Sequence, residues 1–286
     1  MLHPPSHLIQ TTRLGTRVRT LEVWFDEDPG DVSGYDLVVY HQRSTPINSI
    51  YCLFYYTILI DLDLAPEALL AQMGNGNPQQ IRRALGKDRI VCSFSFPPSP
   101  EEIEEFLAFY DDGAAPGGEE ADRGQIDLLA KAGLLALSAA RGPDGQVLAR
   151  HSYVCHTGQQ RARCDLSKTL QTDPRDSEVR SALSRANRLL HYQDMLALQH
   201  LGIKTYDFGG WYSGKEDSKR LNINRFKEGF GGRIVREFEN SEPLTLAGTA
   251  YLDFRLLKWI MADKKNMKDF IRRVHWRRKN KPQVRV

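Results

Sequence analysis

The sequence lacks several features that would assign it to a common class of protein at once. Its four cysteines form no C-x-x-C pair and no zinc-finger spacing, and a disulfide scaffold is not expected in a chain of 286 residues. The longest apolar stretch, residues 50–64, is interrupted by two aspartates and falls short of the ~20 residues that span a bilayer. The N-terminus has no continuous apolar core of the kind found in signal peptides. We therefore expect a soluble, cytoplasmic protein with no metal site.

A net charge of one sign is also lacking, since the whole chain carries only +3, but the charge is distributed unevenly. Residues 258–286 contain eleven Lys or Arg against two Asp, whereas residues 101–122 contain nine carboxylates and no Lys or Arg. The basic segment has three interpretations: contact with RNA, contact with an anionic membrane surface, or a terminal helix packed on its own domain. Because the acidic segment offers it a partner within the chain, basic charge alone does not predict nucleic-acid binding. The oligomeric state is not indicated.

Hydrophobic patterning predicts a chain in which strands and helices are mixed. β-Branched and aromatic runs bounded by turn residues predict strands, at residues 21–26, 36–42, 51–63, 134–141, 146–155, 161–167, 204–208 and 233–239. Apolar residues at helical spacing predict helices, at residues 66–70, 79–86, 99–112 with Ser99 as N-cap, 179–201 and 219–228. The composition of residues 112–124 predicts a loop, and the glycine pair at 209 and 210 is expected to end the strand before it.

Three segments resemble a known family: residues 184–211 (SRANRLLHYQDMLALQHLGIKTYDFGGW), residues 225–232 (RFKEGFGG), and the meander of strands before them. They resemble the FemAB-like branch of the GNAT acyltransferase superfamily, which includes peptidoglycan bridge-forming aminoacyltransferases and acetyltransferase-like proteins of polysaccharide biosynthesis. The likeness implies an α/β (α+β) core over residues 79–245, with a mixed, largely antiparallel central sheet flanked by helices. Residues 1–78 would be a strand-rich extension or a degenerate GNAT half, and residues 246–286 a basic helical tail.

The resemblance implies an acyltransferase that moves an acyl group from acyl-CoA, or an aminoacyl group from aminoacyl-tRNA, onto an amine or hydroxyl. The acceptor would belong to the cell envelope, to a polysaccharide or to a related class of small molecules. Members that use acyl-CoA usually carry a glycine-rich turn whose amides cradle the pyrophosphate, but residues 168–188 contain no glycine. The donor therefore stays open. The alternative is a non-catalytic GNAT scaffold that binds RNA or an anionic membrane through its basic tail.

In this family the donor lies in a notch where the fourth and fifth strands splay apart, which by order are residues 161–167 and 204–208. Main-chain N–H groups in that notch would stabilise the tetrahedral oxyanion. The resemblance assigns to donor binding Cys164, Asp165, Leu166, Ser167, Arg175, Arg180 and Asn187. It assigns to substrate binding, with ordinary packing as the alternative for the aromatic side chains, Tyr206, Gly209, Gly210, Trp211 and Tyr212.

Three side chains are candidates for the chemistry itself. Asn187, His191 and Asp194 share one face of their predicted helix, where a neutral imidazole beside a carboxylate suits a general base. A solvated polar face is the alternative interpretation. Asp207 is either a second candidate base or part of a buried strand. Lys227, carried over from the F-K motif of the family, would hold an anion or offset developing negative charge, or would complement the dipole of its own helix.

Overall fold

Strands and helices follow one another in the computed structural model largely as the patterning predicts. The structure describes residues 6–11, 17–47, 51–74, 76–111, 121–173 and 175–262. The strands are β1 (Ser6–Thr11), β2 (Arg17–Trp24), β3 (Leu37–Arg43), β4 (Tyr51–Asp61), β5 (Val91–Ser95), β6 (Leu135–Arg141), β7 (Val147–His156), β8 (Arg161–Thr169), β9 (Thr205–Trp211) and β10 (Arg233–Pro243). The helices are α1 (Pro66–Ala71), α2 (Asn77–Gly86), α3 (Pro100–Asp111), α4 (Arg123–Lys131), α5 (Ser177–His200), α6 (Ser218–Glu228) and α7 (Leu246–Ala262).

The described residues divide into two compact units. The first lies within Tyr56–Val235, and the second is formed by the described parts of Pro5–Tyr55 and Arg236–Val286. The sequence-based segments 1–78, 79–245 and 246–286 have other boundaries and stay a prediction. Pairing between the acidic and basic segments also stays a prediction, because residues 112–120 and 263–286 lie outside the described residues.

The first unit is built on a sheet with the strand order β4–β9–β8–β7–β6–β5. The pairs within it are antiparallel except for β8 and β9, which run parallel. Helix α5 packs against this sheet, and its apolar residues join those of the strands in one core. The predicted fold class, a mixed and largely antiparallel sheet flanked by helices, is confirmed.

Two elements of the first unit were not predicted, and one predicted strand end is wrong. Helix α4 begins within the segment assigned to a loop, where the Asp122 side chain caps it by accepting from the backbone N–H of Gln125 at 3.1 Å. The short strand β5 was missed as well. Strand β9 continues through the glycine pair to Trp211, because β4 pairs with it as far as Tyr56 opposite Trp211. The sequence offered only the local signal of the glycine pair, whereas the pairing of β4 with β9 joins residues far apart along the chain.

In the second unit β2 pairs with β1 and β3, and β3 pairs with β10. Helix α7 packs on these strands through Leu252, which joins Val18 and Leu37 in a small apolar cluster. Helix α7 is the described beginning of the predicted helical tail. No helix among the described residues has both the length and the apolar character needed to cross a bilayer.

Candidate active site

Strands β8 and β9 pair for only three residues before they separate. The register joins Arg161 to Thr205, Ala162 to Tyr206 and Arg163 to Asp207, and it stops there although both strands continue. A cavity of about 650 Å³ opens beyond the last pair, lined by residues 163–167 of β8 and 208–210 of β9. The predicted divergence of these two strands is confirmed.

Nine of the residues that the sequence indicated for the site line this cavity, namely Cys164, Asp165, Leu166, Ser167, Asn187, His191, Gly209, Gly210 and Lys227. Besides Lys227, four more residues of α6 line the cavity. The sequence gave no reason to select three of these four, namely Lys219, Asn222 and Ile223. The location of the nine is as predicted, while their roles stay predictions.

The backbone of β8 is irregular at the point where the cavity opens. On the β7 side the register passes from Cys164 opposite Tyr153 to Leu166 opposite Ser152, so Asp165 is an extra residue in a β-bulge. Bulges leave one residue out of the ladder and re-aim the chain. The amide N–H of Leu166 donates to Oγ of Ser152 at 3.2 Å and is therefore engaged. Among residues 164–167, Asp165 is the one without a register partner on β7.

The polar face of α5 is buried, so the interpretation as a solvated face is wrong. Asp194 is 1% exposed, and its Oδ2 accepts from Ser138 Oγ at 2.9 Å, from Tyr153 Oη at 2.5 Å and from His151 Nδ1 at 2.8 Å. The carboxylate thus contacts His151 rather than acting as a direct hydrogen-bond partner of His191. The other ring nitrogen of His151, Nε2, lies 2.8 Å from Oδ1 of Asn187.

His191 lies between this polar cluster and the cavity. Its Nδ1 is 2.7 Å from Oη of Tyr206, and its ring stacks on that of His151 with 4.0 Å between centroids. Burial lowers the pKa of His191 well below 6.5, and the charges of His151 and Lys227 lower it further. The imidazole is therefore neutral at pH 7, the state in which it can accept a proton.

Lys227 lies at the end of α6 with its ammonium turned to the end of β9. Its Nζ donates to the carbonyl oxygen of Gly210 at 2.8 Å, and burial lowers the pKa of this lysine. The ammonium is thereby fixed at the cavity rather than left in solvent. Burial also raises the pKa of the Cys164 thiol to about 12, so this cysteine is no thiolate nucleophile at neutral pH.

Asp207 and Tyr206 lie behind the cavity rather than in it. The fully buried Asp207 carboxylate accepts from Thr57, from Arg161 and, at 2.7 Å, from the amide of Gly209. This environment favours the buried-strand interpretation of Asp207 over that of a base. Tyr206 is likewise fully buried with its hydroxyl between His191 and Tyr153, so its predicted contact with substrate needs correction.

The remaining predicted residues lie away from the cavity lining. Arg175 pairs with Asp173 in solvent at 2.7 Å, and Arg180 is exposed on the first turns of α5. Trp211 donates from Nε1 to Glu228 at 2.7 Å, and the backbone of Tyr212 bonds the Asn224 side chain. None of these four residues lines the cavity, and their predicted roles in binding stay predictions without support from its lining.

The N-terminus of α5 is not arranged as an anion site. The Asp176 side chain caps it by accepting from the amide of Val179 at 2.9 Å, and Glu178 adds a further carboxylate in the first turn. Both carboxylates repel an anion where a helix N-terminus would otherwise attract one. This agrees with the absence of glycine from residues 168–188.

His151, Tyr153 and Asp194 show what sequence patterns can and cannot find. His151 and Tyr153 alternate on one face of β7, which the strand period of two predicts. Their partners Asn187 and Asp194 lie on α5, far along the chain, and no local pattern joins the two elements. The cluster was therefore missed although its α5 members were selected.

One set of side chains among the described residues has the spacing of metal ligands. Donor atoms of His151, His191 and Asp194 lie within 4.8 Å of one another. Asp194 Oδ2 already accepts three hydrogen bonds, and the two imidazole rings stack with 26° between their planes instead of converging on a point. Oδ1 of Asp194 has no partner in the described part of the chain. Apart from this oxygen, hydrogen bonds within the protein account for the arrangement of the three side chains.

Comparison with solved structures identifies the fold. The structure of FemX matches with a TM-score of 0.56 at 12% identity, over 82% of this chain and 83% of that chain. The chain therefore has the fold seen in FemX. L-PGS from Bacillus licheniformis matches with a TM-score of 0.49 at 15% identity, over 87% of this chain and 88% of that one. A tandem GNAT protein from the clavulanic acid biosynthesis pathway matches with a TM-score of 0.38 at 10% identity, over 79% and 78%.

At 12% identity the likeness to FemX shows the fold alone. No protein-family model matches the chain. No curated protein matches it either.

Proposed function

We propose that this chain is an acyltransferase that moves an acyl or aminoacyl group onto an amine or hydroxyl in the cavity between β8 and β9. The observation that carries the proposal is the separation of these strands after Arg163 and Asp207, at a cavity lined by His191 and Lys227. The resemblance of the sequence to FemAB-like proteins supplies the reaction class.

The groups in the cavity suit direct transfer. The amine or hydroxyl of the acceptor attacks the donor carbonyl carbon, and its proton passes to the neutral ring of His191. The carbonyl oxygen becomes an oxyanion that the amide of Asp165 and the ammonium of Lys227 stabilise. When the tetrahedral intermediate collapses, the bond from carbon to the ester oxygen or thioester sulfur breaks, and the leaving group takes the proton from His191.

The surroundings of the cavity favour an ester donor such as aminoacyl-tRNA over acyl-CoA. A pyrophosphate would meet the carboxylates of Asp176 and Glu178 at the N-terminus of α5. Arg163 and Lys219 line the cavity and provide positive charge for the phosphates of a polynucleotide or of an anionic acceptor. The proposal of an acceptor from the cell envelope or from polysaccharide synthesis rests on the sequence resemblance.

Two measurements test this proposal: the binding of candidate donors and the rate of transfer by a Lys227 variant. We expect charged tRNA to raise the unfolding temperature more than uncharged tRNA, and acetyl-CoA to raise it least. Lys227→Ala is expected to lower kcat/KM for transfer of a labelled aminoacyl group by ~10²–10³-fold, because the oxyanion loses a fixed charge. Lys215→Ala removes an exposed lysine from outside the cavity lining and should leave transfer unchanged. Equal turnover by both variants would remove Lys227 from the mechanism.

A second role, contact with an anionic membrane surface, is favoured by one face of α7. Leu246 is 90%, Phe254 55%, Leu257 56% and Met261 77% exposed, and their spacing places them on one side of the helix. The sequence continues into the basic segment 258–286, with its eleven Lys or Arg. An apolar face followed by basic residues suits the headgroup region of anionic lipid. RNA would not make use of the apolar face.

Vesicle sedimentation tests this second role. We expect the full chain to sediment with vesicles that contain phosphatidylglycerol and to stay in solution with phosphatidylcholine alone. The paired change Phe254→Ser with Leu257→Ser should reduce the bound fraction several-fold at unchanged charge, whereas Leu244→Ser, outside the helix, should not. Equal sedimentation of all three proteins would show that charge alone is responsible and would contradict a role for α7.

A further inference from the structure

A chain of four buried side chains runs from the core to the cavity. Oη of Tyr153 is 2.5 Å from Oδ2 of Asp194, Oη of Tyr206 is 3.1 Å from Oη of Tyr153, and Nδ1 of His191 is 2.7 Å from Oη of Tyr206. All four residues are at most 2% exposed. Only His191 among them lines the cavity.

If each of these three contacts is a hydrogen bond with one proton of its own, the number of protons sets the three directions, with the Cys164 thiol as a further neighbour of the Tyr206 hydroxyl. A carboxylate only accepts, so Tyr153 gives its single hydroxyl proton to Asp194. Tyr153 can then only accept from Tyr206, which gives its own single proton to that bond. The hydroxyl oxygen of Tyr206 is left as an acceptor, and the proton between Tyr206 and His191 must belong to Nδ1 of the imidazole.

Two further observations support Asp194 as the acceptor and the two tyrosines as donors. Ser138 and His151 also lie at donor distance from Oδ2 of Asp194, as expected around a negative oxygen. Burial raises the pKa of Tyr153 and that of Tyr206 well above 10, so both hydroxyls keep their protons at neutral pH.

We infer that Asp194, Tyr153 and Tyr206 are positioning residues that hold His191 in the tautomer protonated on Nδ1, which leaves the Nε2 lone pair as the proton acceptor at the cavity. The catalytic consequence rests on the proposed acyl transfer, whereas the tautomer is a property of the free protein. His191 then needs no carboxylate as a direct partner. Hydrogen bonds through the hydroxyl groups of Tyr206 and Tyr153 connect it to the buried carboxylate of Asp194. The bond from Nδ1–H to Tyr206 is kept when His191 takes up the proton of the acceptor on Nε2.

The surroundings of His191 make Tyr206 the decisive link. The imidazole is flanked by the rings of Phe208, Phe226 and Phe230, with centroids 4.9, 5.6 and 5.4 Å away. None of these rings accepts a hydrogen bond as a hydroxyl does. In Tyr206→Phe, Nδ1–H would lose its acceptor, and the proton is expected to move to Nε2, the ring nitrogen assigned to the cavity.

Two-bond ¹H–¹⁵N correlation spectra of ¹⁵N-histidine-labelled protein at pH 7 test the inference directly. Among the eight histidines, the signals of His191 are those lost in His191→Gln. We expect the wild-type ring to show a protonated Nδ1 and an unprotonated Nε2, and Tyr206→Phe to reverse this pattern. Tyr192→Phe, next to His191 in sequence, loses a bond to the carbonyl of Pro66 instead and should leave the tautomer unchanged.

Each result either supports or overturns the inference. A wild-type His191 protonated on Nε2, or on both nitrogens, overturns it, as does a tautomer that Tyr206→Phe leaves unaltered. Signals that shift on addition of EDTA would assign Nδ1 to a metal ion and overturn it as well. If Tyr206→Phe does not fold, the wild-type spectrum and Tyr153→Phe, expected to populate both tautomers, still decide. The Nδ1–H tautomer in a protein without transferase activity would contradict the proposed function but not this assignment.

Discussion

Replacing His191 with alanine is expected to lower kcat/KM for transfer by ~10²–10⁴-fold, the usual contribution of a positioned general base. The imidazole is the neutral, cavity-lining group whose lowered pKa keeps it ready to accept a proton at pH 7. Steady-state transfer of a labelled aminoacyl group measures the loss. The matched control is His200→Ala, which removes an exposed histidine from the end of the same helix and should leave turnover intact.

The pH dependence of the wild-type protein checks the same assignment. A base must be deprotonated to act, and the folded protein lowers the pKa of His191 below 6.5. Activity should therefore persist as the pH falls through 6.5 and should be lost only at lower pH. Because kcat/KM reports the free enzyme, the profile of kcat/KM is the relevant one. An acid limb centred above pH 6.5 would show that another group limits the reaction.

Replacing Asp207 with alanine is expected to lower the free energy of unfolding by ~3–5 kcal/mol, because it breaks the buried ion pair with Arg161. The pair is almost fully buried, with the side chain of Arg161 11% exposed and that of Asp207 not exposed at all. The change also removes the acceptor for Thr57 and for the amide of Gly209. The midpoint of urea unfolding at unchanged m-value measures the loss.

Two further variants separate this structural role from a catalytic one. The double variant Arg161→Met with Asp207→Leu should recover much of the lost stability, since it removes both charges together. Asp165→Ala, at a partly exposed carboxylate two residues beyond the pairing with β9, should unfold near the wild-type midpoint. An Asp207→Ala protein with wild-type stability and no turnover would return Asp207 to the role of base.

The sequence indicated the site in outline because local patterns carry part of its geometry. The spacing of Asn187, His191 and Asp194 placed them on one face of α5, and element order identified the two strands that diverge. Which way that face points depends on the core around it. His191 and Asp194 face inward because the apolar residues of α5 lie on the same side. The spacing of the three polar residues alone did not indicate that direction.

What remained beyond sequence reasoning depends on partners far along the chain. Asp207 was a second candidate base from sequence, but its environment is set by Thr57 and Arg161 on other strands. Gly209 was expected to end β9, yet its φ of +70° lets the strand continue close to β8, where a Cβ atom would lie 3.1 Å from the carbonyl oxygen of Cys164. Both features follow from packing between neighbouring strands.

A crystal structure with puromycin, an amide-linked analogue of an aminoacyl ester, tests the central claim most directly. The cavity between residues 163–167 and 208–210 should hold the aminoacyl group, with the amide carbonyl oxygen directed to the N–H of Asp165 and to Lys227. Nε2 of His191 should face the carbonyl carbon across the space left for an attacking amine or hydroxyl. Puromycin bound elsewhere, with this cavity open in a protein that still transfers aminoacyl groups, would contradict the assignment of the active site.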